Sequence, residues 1–293
     1  MSLERIETAD RLRTRLRGWK AAGQSVAFVP TMGNLHRGHL ALIEQARGLA
    51  DRVVCSIFVN PTQFGPNEDY ARDPRTLEAD ATALQAAACD ALFLPDVDTL
   101  YPLGLERCVR VEVPGLSDVL CGAFRPGHFA GVATVVARLF NLVQPDLAVF
   151  GSKDFQQLAV IRHMVCDLGF PIRIEAGATV REPDGLALSS RNQYLDPQQR
   201  QTATRIHATL TGMRERLLAG EGVSDIESWA MTALQAQAFQ PDYAVLRRPD
   251  ALDQAAERGP GAWVALIAAR LGTTRLIDNL EFSLPEVASS GQL

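Results

Sequence analysis

Short apolar runs of strand length alternate with longer helix-patterned stretches through the first part of the chain. Val26–Val29, Val53–Val59 and Leu147–Phe150 are runs of this kind. The continuous run Val53–Val59 is typical of a strand that is covered on both faces. Strands that alternate with helices predict βαβ units, and therefore an α/β fold built on a Rossmann-like, doubly wound parallel sheet.

The pattern predicts two domains, because it changes near the turn-rich segment 181–185. Within residues 1–181 we predict helices at 8–22, 38–50, 73–88, 127–143 and 154–168, and further strands at 91–94, 109–113 and 172–175. Within residues 182–293 we predict a long helix after Pro197, a second helix from Ser224, and short strands at 243–246, 264–269 and 274–277. The second domain is therefore a smaller α/β domain.

Charge and cysteine usage limit the classes of partner. The net charge is −5 and no basic run occurs, which argues against a nucleic-acid partner. No apolar run approaches the roughly 18 residues of a membrane span, and the charged first residues contain no secretory signal. The cysteines are scattered without a C-x-x-C pair, and reduced thiols fit the cytosol. We therefore expect a cytoplasmic protein that binds neither nucleic acid nor membrane.

A glycine-bearing turn, Pro30-Thr-Met-Gly-Asn-Leu-His-Arg-Gly-His39, joins the strand Val26–Val29 to a predicted helix. Such a turn makes an anion site, because free backbone N–H groups and the positive end of the helix face one spot. His36 and His39 are three residues apart and share one side of the first helical turn. Positioned donors of this kind lower the barrier to reaction at a nucleotide's α-phosphate. Two ordinary surface histidines are the alternative interpretation.

Polar loops follow two other predicted strands, at the sheet edge where such folds bind ligands. In the first loop, Gly151-Ser-Lys-Asp154, Lys153 can pair with phosphate oxygens, and Gln157 lies one helical turn further on the same side. In the second loop, Asn60-Pro-Thr-Gln63, the glutamine amide can both donate to and accept from a hydroxy acid. A capped helix start and a strand-ending turn are the respective alternatives.

Two further segments carry groups that suit a phosphate. The loop Leu188-Ser-Ser-Arg-Asn192 offers two hydroxyls and a guanidinium and could close over a nucleotide. Arg125 and His128 precede a predicted helix, which suits contact with an anion. A loop of turn formers and a capped helix entry explain these segments as well. The sequence motifs of P-loop proteins, dinucleotide dehydrogenases, zinc proteases and serine hydrolases are absent.

In their order along the chain these segments resemble the pantothenate synthetase family, the ATP-dependent ligases that join pantoate to β-alanine. The resemblance covers Pro30–His39, the motif Phe58-Val-Asn-Pro-Thr-Gln-Phe-Gly65, the motif Phe124-Arg-Pro-Gly-His-Phe-Ala-Gly-Val132, the motif Gly151-Ser-Lys-Asp-Phe-Gln-Gln-Leu158, the loop Leu188–Asn192 and the motif Thr274-Arg-Leu-Ile-Asp-Asn279. It implies membership of the adenylating and nucleotidyl-transferring group whose H-I-G-H-like turn binds ATP.

The resemblance implies a two-step reaction. The pantoate carboxylate attacks the α-phosphate of ATP to give pantoyl adenylate and pyrophosphate, and the amine of β-alanine then attacks the acyl carbon and releases AMP. It also implies a homodimer, a lid role for the second domain, and Mg²⁺, which commonly bridges phosphate oxygens with few protein ligands. No carboxylate cage is visible in the sequence, so we name no metal ligand.

The family's pattern assigns roles to residues of this sequence. His39, with His36 and Lys153, would be catalytic, and Gln63 and Gln157 would bind pantoate, with Gln63 also near β-alanine. Arg125 and His128 are candidate phosphate contacts. The expected ATP contacts are Met32, Gly33, Asn34, Leu35, His36, Arg37, Gly38, His39, Gly151, Ser152, Lys153, Asp154, Val180, Leu188, Ser189, Ser190 and Arg191.

The sequence departs from the family's pattern at two places, and two other functions stay open. Ser152 stands where the family usually has glutamate, and Leu246-Arg-Arg-Pro249 stands where it tends to be acidic and apolar. One alternative is a nucleotidyltransferase of the same fold that acts on a phosphorylated small molecule, which should lack the pair Gln63 and Gln157. The other is a non-catalytic nucleotide sensor. An aminoacyl-tRNA synthetase fragment is further behind, because the acidic chain offers no tRNA surface.

Overall fold

The computed structural model describes residues 3–65 and 76–286. The contacts between residues divide the chain into two compact units. Unit one takes Met1–Asp118 and Arg125–Val180, and unit two takes Val119–Phe124 and Arg181–Leu293. The predicted role of the C-terminal domain as a lid stays a prediction.

Unit one is built on a parallel sheet. Its strands are β1 (Glu4–Ile6), β2 (Val26–Thr31), β3 (Arg52–Ile57), β4 (Ala91–Phe93), β5 (Leu147–Gly151) and β6 (Arg173–Gly177). They lie in the order β1-β4-β3-β2-β5-β6, and every pairing is parallel. The order reverses between β2 and β5, which makes this the topological switch point where ligands of such sheets bind. The predicted doubly wound α/β fold is confirmed.

Helices connect the strands and continue into unit two. They are α1 (Ala9–Ala21), α2 (Arg37–Leu49), α3 (Leu77–Ala86), α4 (Val97–Leu100), α5 (Cys121–Phe124), α6 (His128–Val143), α7 (Phe155–Asp167), α8 (Pro197–Thr202), α9 (Arg205–Ala219) and α10 (Val223–Gln235). Thr8 caps α1 by accepting the Arg11 N–H, as its position before the helix predicts. The predicted start of α3 at Asp73-Pro74 lies outside the described residues.

The core of unit one lies between the sheet and its helices. Ala27, Val29, Val53 and Cys55 are fully or almost fully buried on β2 and β3, where they pack with apolar residues of α2 and α3. Most of α6 is buried, which matches its almost continuous apolar sequence. Burial of the strands on both faces is what the unbroken apolar runs predict.

Unit two contains an antiparallel sheet with the strands β7 (Phe239–Arg247), β8 (Gly261–Leu271) and β9 (Thr274–Leu284). Its core combines residues of this sheet with one face each of α9 and α10, around the fully buried Trp263. Arg248, which departs from the family's pattern, lies 4.0 Å from the Trp263 ring centroid and donates to the Pro260 and Ala262 carbonyls. This departure therefore has a structural role within the unit.

The predicted strand at 109–113 is wrong. Its alternation of valine with charged residues is typical of a half-buried strand, yet its backbone groups are satisfied by side chains. The Val111 N–H donates to Thr134 Oγ1 at 2.9 Å, and Arg138 donates to the Val109 carbonyl at 3.3 Å. Both partners lie on α6, so these backbone bonds form without a neighbouring strand.

Other differences concern boundaries. The helix predicted after Pro197 is two helices, α8 and α9, and at their junction Thr204 Oγ1 bonds to the Gln201 carbonyl, in competition with the regular helical pattern. Within the described residues no helix is long and apolar enough to cross a membrane. All five cysteines are free thiols, and three of them, Cys55, Cys89 and Cys121, are buried.

Candidate active site

Side-chain oxygens hold the loop after β2 by accepting hydrogen bonds from its backbone N–H groups. Gly33 and Asn34 have the positive φ angles +88° and +50° that let the chain leave the strand. The Gly33 N–H donates to Thr31 Oγ1, and the N–H groups of Asn34 and Leu35 donate to the buried carboxylate of Asp80 at 2.9 and 2.8 Å. The expectation of free backbone N–H groups is therefore wrong for this part of the turn, where Thr31 and Asp80 already accept from three of them.

His36 and His39 cap the start of α2 reciprocally. The Gly38 N–H donates to His36 Nδ1 at 3.1 Å, and the His36 N–H donates to His39 Nδ1 at 3.3 Å. A backbone N–H can only donate, so both Nδ1 atoms accept, and the proton of each neutral ring lies on Nε2. The faces of the two rings lie against each other, with centroids 4.1 Å apart and an angle of 33° between the ring planes. The turn thus carries two adjacent Nε2–H donors.

The surroundings keep both imidazoles neutral. Burial lowers the pKa of His39 to about 3, with a further contribution from His36. Burial also lowers the pKa of His36, and the charge of Lys153 acts in the same direction. Asp154 opposes the shift in both cases. The rings are therefore uncharged donors at neutral pH.

The loop after β5 brings charges to the same place. Ser152–Asp154 form a short 3-10 turn between β5 and α7. The side chain of Lys153 is mostly buried, with 17% of it exposed, and its ammonium lies 3.8 Å from the Asp154 carboxylate. β2 and β5 are paired in parallel through Ala27–Leu147 and Phe28–Ala148, so the loops that follow them leave neighbouring strands at the same edge of the sheet, at the switch point. Gln157, in the first turn of α7, is half-buried.

The loop after β3 joins this constellation through Gln63. Its Nε2 lies 2.9 Å from Met32 Sδ, so the amide reaches the turn that carries the histidines. Its Oε1 accepts from Asn60 Nδ2 at 3.1 Å. Gly131 on α6 lies against this loop so closely that an added Cβ would be 2.5 Å from the Thr62 carbonyl oxygen. The backbone that carries Gln63 is therefore packed closely against α6.

Arg125 and His128 form hydrogen bonds that hold the backbone of Gln63. The Arg125 guanidinium lies 2.9 Å from His128 Nε2, which must therefore accept, and His128 Nδ1 then donates to the Gln63 carbonyl at 2.9 Å. Both ring nitrogens of His128 are engaged within unit one. His128 therefore holds the Gln63 backbone in this structure, and the predicted contacts of Arg125 and His128 with a phosphate stay predictions.

The other predicted contact residues are Val180, the last residue of unit one, and the loop Leu188–Arg191 of unit two. Val180 is half-buried at the end of unit one. In unit two Leu188 is buried, and Ser189 caps a 3-10 turn by accepting the Arg191 N–H at 3.2 Å. Ser190 is half-buried and Arg191 is exposed. Within this unit the loop therefore has an ordered turn at its start.

An ion pair orders the chain just before that loop. Arg181 forms a bidentate ion pair with the buried Asp278, at 2.6 and 3.0 Å, and donates to the Gly185 carbonyl at 3.0 Å. A β-bridge between Arg181 and Ala187 closes the hairpin that leads to Leu188.

Sequence reasoning missed three residues that organise the site. Asp80 closes the turn after β2 from α3, while Asn60 and Tyr101 lie behind Gln63. An acidic residue or a tyrosine distant in sequence gives no local signal of such a contact. Asn60 stands inside a motif that the sequence does single out, where the pattern indicates only a strand-ending turn. Asn34 Nδ2 is also buried and makes no hydrogen bond.

Among residues 3–65 and 76–286, no group of three or more histidine, cysteine, aspartate or glutamate side chains could hold a metal ion. The described side chains therefore offer no dedicated metal centre. The described site carries the two imidazole donors and the Lys153 ammonium, which suit a polyanion, together with the Asp154 carboxylate.

The chain is similar to known proteins over almost its whole length. The family model described as pantoate-beta-alanine ligase matches residues 4–281. A pantothenate synthetase of Stenotrophomonas maltophilia (strain R551-3) is 61% identical over 271 residues, which are 92% of this chain and 96% of the relative. One from Xylella fastidiosa (strain M23) is 58% identical over 280 residues, which are 96% and 100% of the two chains.

Solved structures show the same fold. The crystal structure of a pantothenate synthetase from Thermus thermophilus matches with a TM-score of 0.88 and 48% identity, over 95% of this chain and 99% of that chain. A pantoate-beta-alanine ligase from Francisella tularensis, complexed with beta-gamma ATP and beta-alanine, matches with a TM-score of 0.80 and 31% identity, over 95% and 97% of the two chains. The chain belongs to the pantoate-beta-alanine ligase family.

Proposed function

We propose that this chain joins pantoate to β-alanine at the expense of ATP, through pantoyl adenylate, with release of pyrophosphate and AMP. One observation carries the proposal: two neutral Nε2–H donors, on His36 and His39, follow β2 at the switch point of the sheet, and the loop that carries Lys153 follows its neighbour β5. The Francisella relative, whose structure contains beta-gamma ATP and beta-alanine, supports ATP and β-alanine as ligands.

In the first step the α-phosphate gains negative charge as the pantoate carboxylate attacks it. His39 and His36 donate hydrogen bonds from Nε2 to the α-phosphate oxygens, and they need no proton from solvent because that tautomer is fixed beforehand. Preorganised donors of this kind stabilise the transition state without reorganisation. This is the role we propose for the H-I-G-H-like turn.

Lys153 supplies the positive charge. Its ammonium neutralises phosphate oxygens as the bond to pyrophosphate breaks, and its place in the loop after β5, the strand next to β2, suits the α- and β-phosphates. Ser152, which stands where the family usually has glutamate, removes a negative charge next to this lysine. The other ATP contacts predicted from the sequence, on the loops that carry Met32 and Gly151, stay part of the proposal.

Gln63 and Gln157 bind pantoate, whose hydroxyls and carboxylate need both donors and acceptors. The Nε2 of Gln63 lies against Met32 Sδ, which is a weak acceptor. A substrate oxygen in place of the sulfur forms a stronger hydrogen bond with this N–H group. In the second step the β-alanine amine attacks the acyl carbon near Gln63. The carboxylate oxygen that bridged to phosphorus then leaves with AMP.

The loop at Leu188–Arg191 contacts the ATP phosphates in this proposal, and unit two acts as the lid that excludes water during the reaction. Mg²⁺ bound with the nucleotide would supply charge neutralisation at its phosphates. We name no protein ligand for it, since the described residues contain no metal-binding group of three. A homodimer and a cytoplasmic location are also expected from the resemblance and stay predictions.

The test is pantoate-dependent exchange of labelled pyrophosphate into ATP, with Mg²⁺ and without β-alanine. Exchange that requires pantoate supports the adenylate, and AMP release that then requires β-alanine completes the reaction. A folded protein that binds ATP but shows no exchange contradicts the proposal. It would favour the alternative nucleotidyltransferase, which a screen of phosphorylated alcohols would then examine.

A further inference from the structure

The carboxamide of Asn60 is buried and fully bonded. Its Oδ1 accepts from the Tyr101 hydroxyl at 2.7 Å, from Thr62 Oγ1 at 3.0 Å and from the Thr62 N–H at 3.3 Å. Its Nδ2 donates to the Gly131 carbonyl and to Gln63 Oε1, both at 3.1 Å. Only 1% of the residue is exposed, so an incorrect orientation would leave several groups unpaired.

Two backbone groups decide which way this amide points. The Thr62 N–H can only donate, so the end of Asn60 that faces it must be the oxygen. The Gly131 carbonyl can only accept, so the opposite end must be the nitrogen. The polarity of Asn60 therefore follows from the fold.

The polarity of Asn60 fixes that of Gln63. An N–H of Asn60 points at the Gln63 carboxamide, so the glutamine must present Oε1 to it. Gln63 Nε2 is then left on the other side, 2.9 Å from Met32 Sδ. Gln63 thus offers a donor, and not an acceptor, towards the turn that carries the histidines.

Tyr101 holds the far end of this chain of bonds. The residue is 1% exposed, and its ring centroid lies 4.9 Å from the guanidinium carbon of Arg138. Arg138 is itself held by a hydrogen bond from its Nη1 to the Leu100 carbonyl. Burial raises the pKa of the hydroxyl, which keeps it protonated. Its short bond to Asn60 Oδ1 is the strongest of the three that the oxygen accepts, by distance.

We infer that Tyr101 and Asn60 are positioning residues that fix the Gln63 carboxamide with its Nε2 towards the substrate, so that this part of the site selects an acceptor oxygen of pantoate. The inference rests on the proposed function, in which Gln63 binds pantoate. Neither positioning residue needs to contact substrate. Their contribution is that Gln63 is already in its donating orientation before pantoate arrives, which lowers the ordering cost of binding.

We call the bonds from Tyr101 through Asn60 to Gln63 the relay. Tyr101→Phe tests it, because the substitution removes the hydroxyl and keeps the ring against Arg138. We expect the pantoate KM to rise about fivefold, as for the loss of one hydrogen bond. The ATP KM and the melting temperature should stay close to those of the wild type. Tyr243→Phe is the matched control, since this buried tyrosine of unit two bonds to Cys121 and not to the relay, and its pantoate KM should not change.

A second pair of variants tests the polarity directly and does not depend on Tyr101→Phe folding. Gln63→Met removes both polar ends, while Gln63→Glu keeps an acceptor for Asn60 and turns an acceptor towards the substrate. A donating Gln63 predicts that the pantoate KM rises more in Gln63→Glu than in Gln63→Met, by at least about tenfold. A smaller rise in Gln63→Glu than in Gln63→Met would mean that the site needs an acceptor there, and would overturn the inference.

The outcomes separate this inference from the proposed function. Wild-type protein without pantoate-dependent exchange contradicts the function itself. Wild-type protein with exchange, but with an unchanged pantoate KM in Tyr101→Phe or with equal rises for ATP and pantoate, contradicts only the relay. A selective rise for pantoate in Tyr101→Phe, together with the predicted order of the two Gln63 variants, supports it.

Discussion

The histidines of the turn after β2 show how single residues become directed donors. Each Nδ1 accepts a backbone N–H, and burial lowers the pKa of both rings. Sequence spacing alone predicts that the two rings share one face. It could not predict the tautomer, which depends on which ring nitrogen meets the backbone, nor the extent of burial.

His39→Ala should reduce kcat about 100- to 1,000-fold, as the loss of one preorganised donor does elsewhere. The measurement is steady-state AMP release, with circular dichroism to show that the fold is intact. His163→Ala is the matched control, because this histidine is exposed on α7. A His39→Ala enzyme that turns over at the wild-type rate would remove His39 from catalysis.

The lowered pKa of His39 also predicts a pH dependence of stability. The unfolded chain protonates this histidine near its ordinary value of 6.5, and the folded protein does so only near about 3. Between these values the unfolded state binds more protons, so stability falls as the pH falls, by about 1.4 kcal/mol per pH unit for this group. Urea unfolding of His39→Gln should therefore show a shallower loss between pH 6.5 and 4 than the wild type. Parallel curves for the two proteins would contradict this.

At the scale of elements, Asp80 joins α3 to the turn after β2. Asp80→Asn keeps the shape but turns an NH₂ group towards one of the two N–H groups, so a buried donor loses its acceptor at a cost of about 1–3 kcal/mol. We expect a lower free energy of unfolding and a higher ATP KM, with a smaller effect on pantoate. Glu78→Gln is the control, since this exposed residue of the same helix pairs with Arg5. Equal behaviour of the two variants would show that Asp80 does not hold the turn.

The contact between α6 and the loop after β3 gives a second prediction. In Gly131→Ala the new methyl group would meet the Thr62 carbonyl at 2.5 Å, so helix and loop must move apart. We expect a loss of about 1–3 kcal/mol in unfolding free energy and a raised pantoate KM, because Gln63 follows Thr62. Gly18→Ala, in the open surface of α1, should instead be neutral or stabilising. Unchanged pantoate kinetics in Gly131→Ala would separate this contact from the site.

The sequence predicts elements well where the apolar period is unambiguous. The buried strands β2, β3 and β5 and the helices α6 and α7 agree with the predictions within about two residues at most ends. The segment 109–113 fails because side chains of α6 satisfy its backbone, which strand periodicity cannot show. The sequence does not predict β1, because a strand of three residues is too short to show an apolar period.

At the scale of the whole molecule, the order of the loops in sequence and the order of the strands in space together build the site. The loops after β2, β3 and β5 are far apart in the chain, yet parallel pairing brings their carboxyl ends to one edge. The strand alternation predicts this convergence. The buried contacts that orient the side chains, from Asp80, Asn60 and Tyr101, depend on long-range packing and could not be predicted from the sequence.

The most direct test of the central claim, that pantoate is activated as an adenylate, follows one oxygen atom. Pantoate labelled with ¹⁸O in its carboxylate is turned over with ATP and β-alanine, and the products are analysed by mass spectrometry. We predict one ¹⁸O atom in AMP and one in the amide product, because the bridging oxygen leaves with phosphorus. Unlabelled AMP, or label in inorganic phosphate together with ADP, would contradict the account.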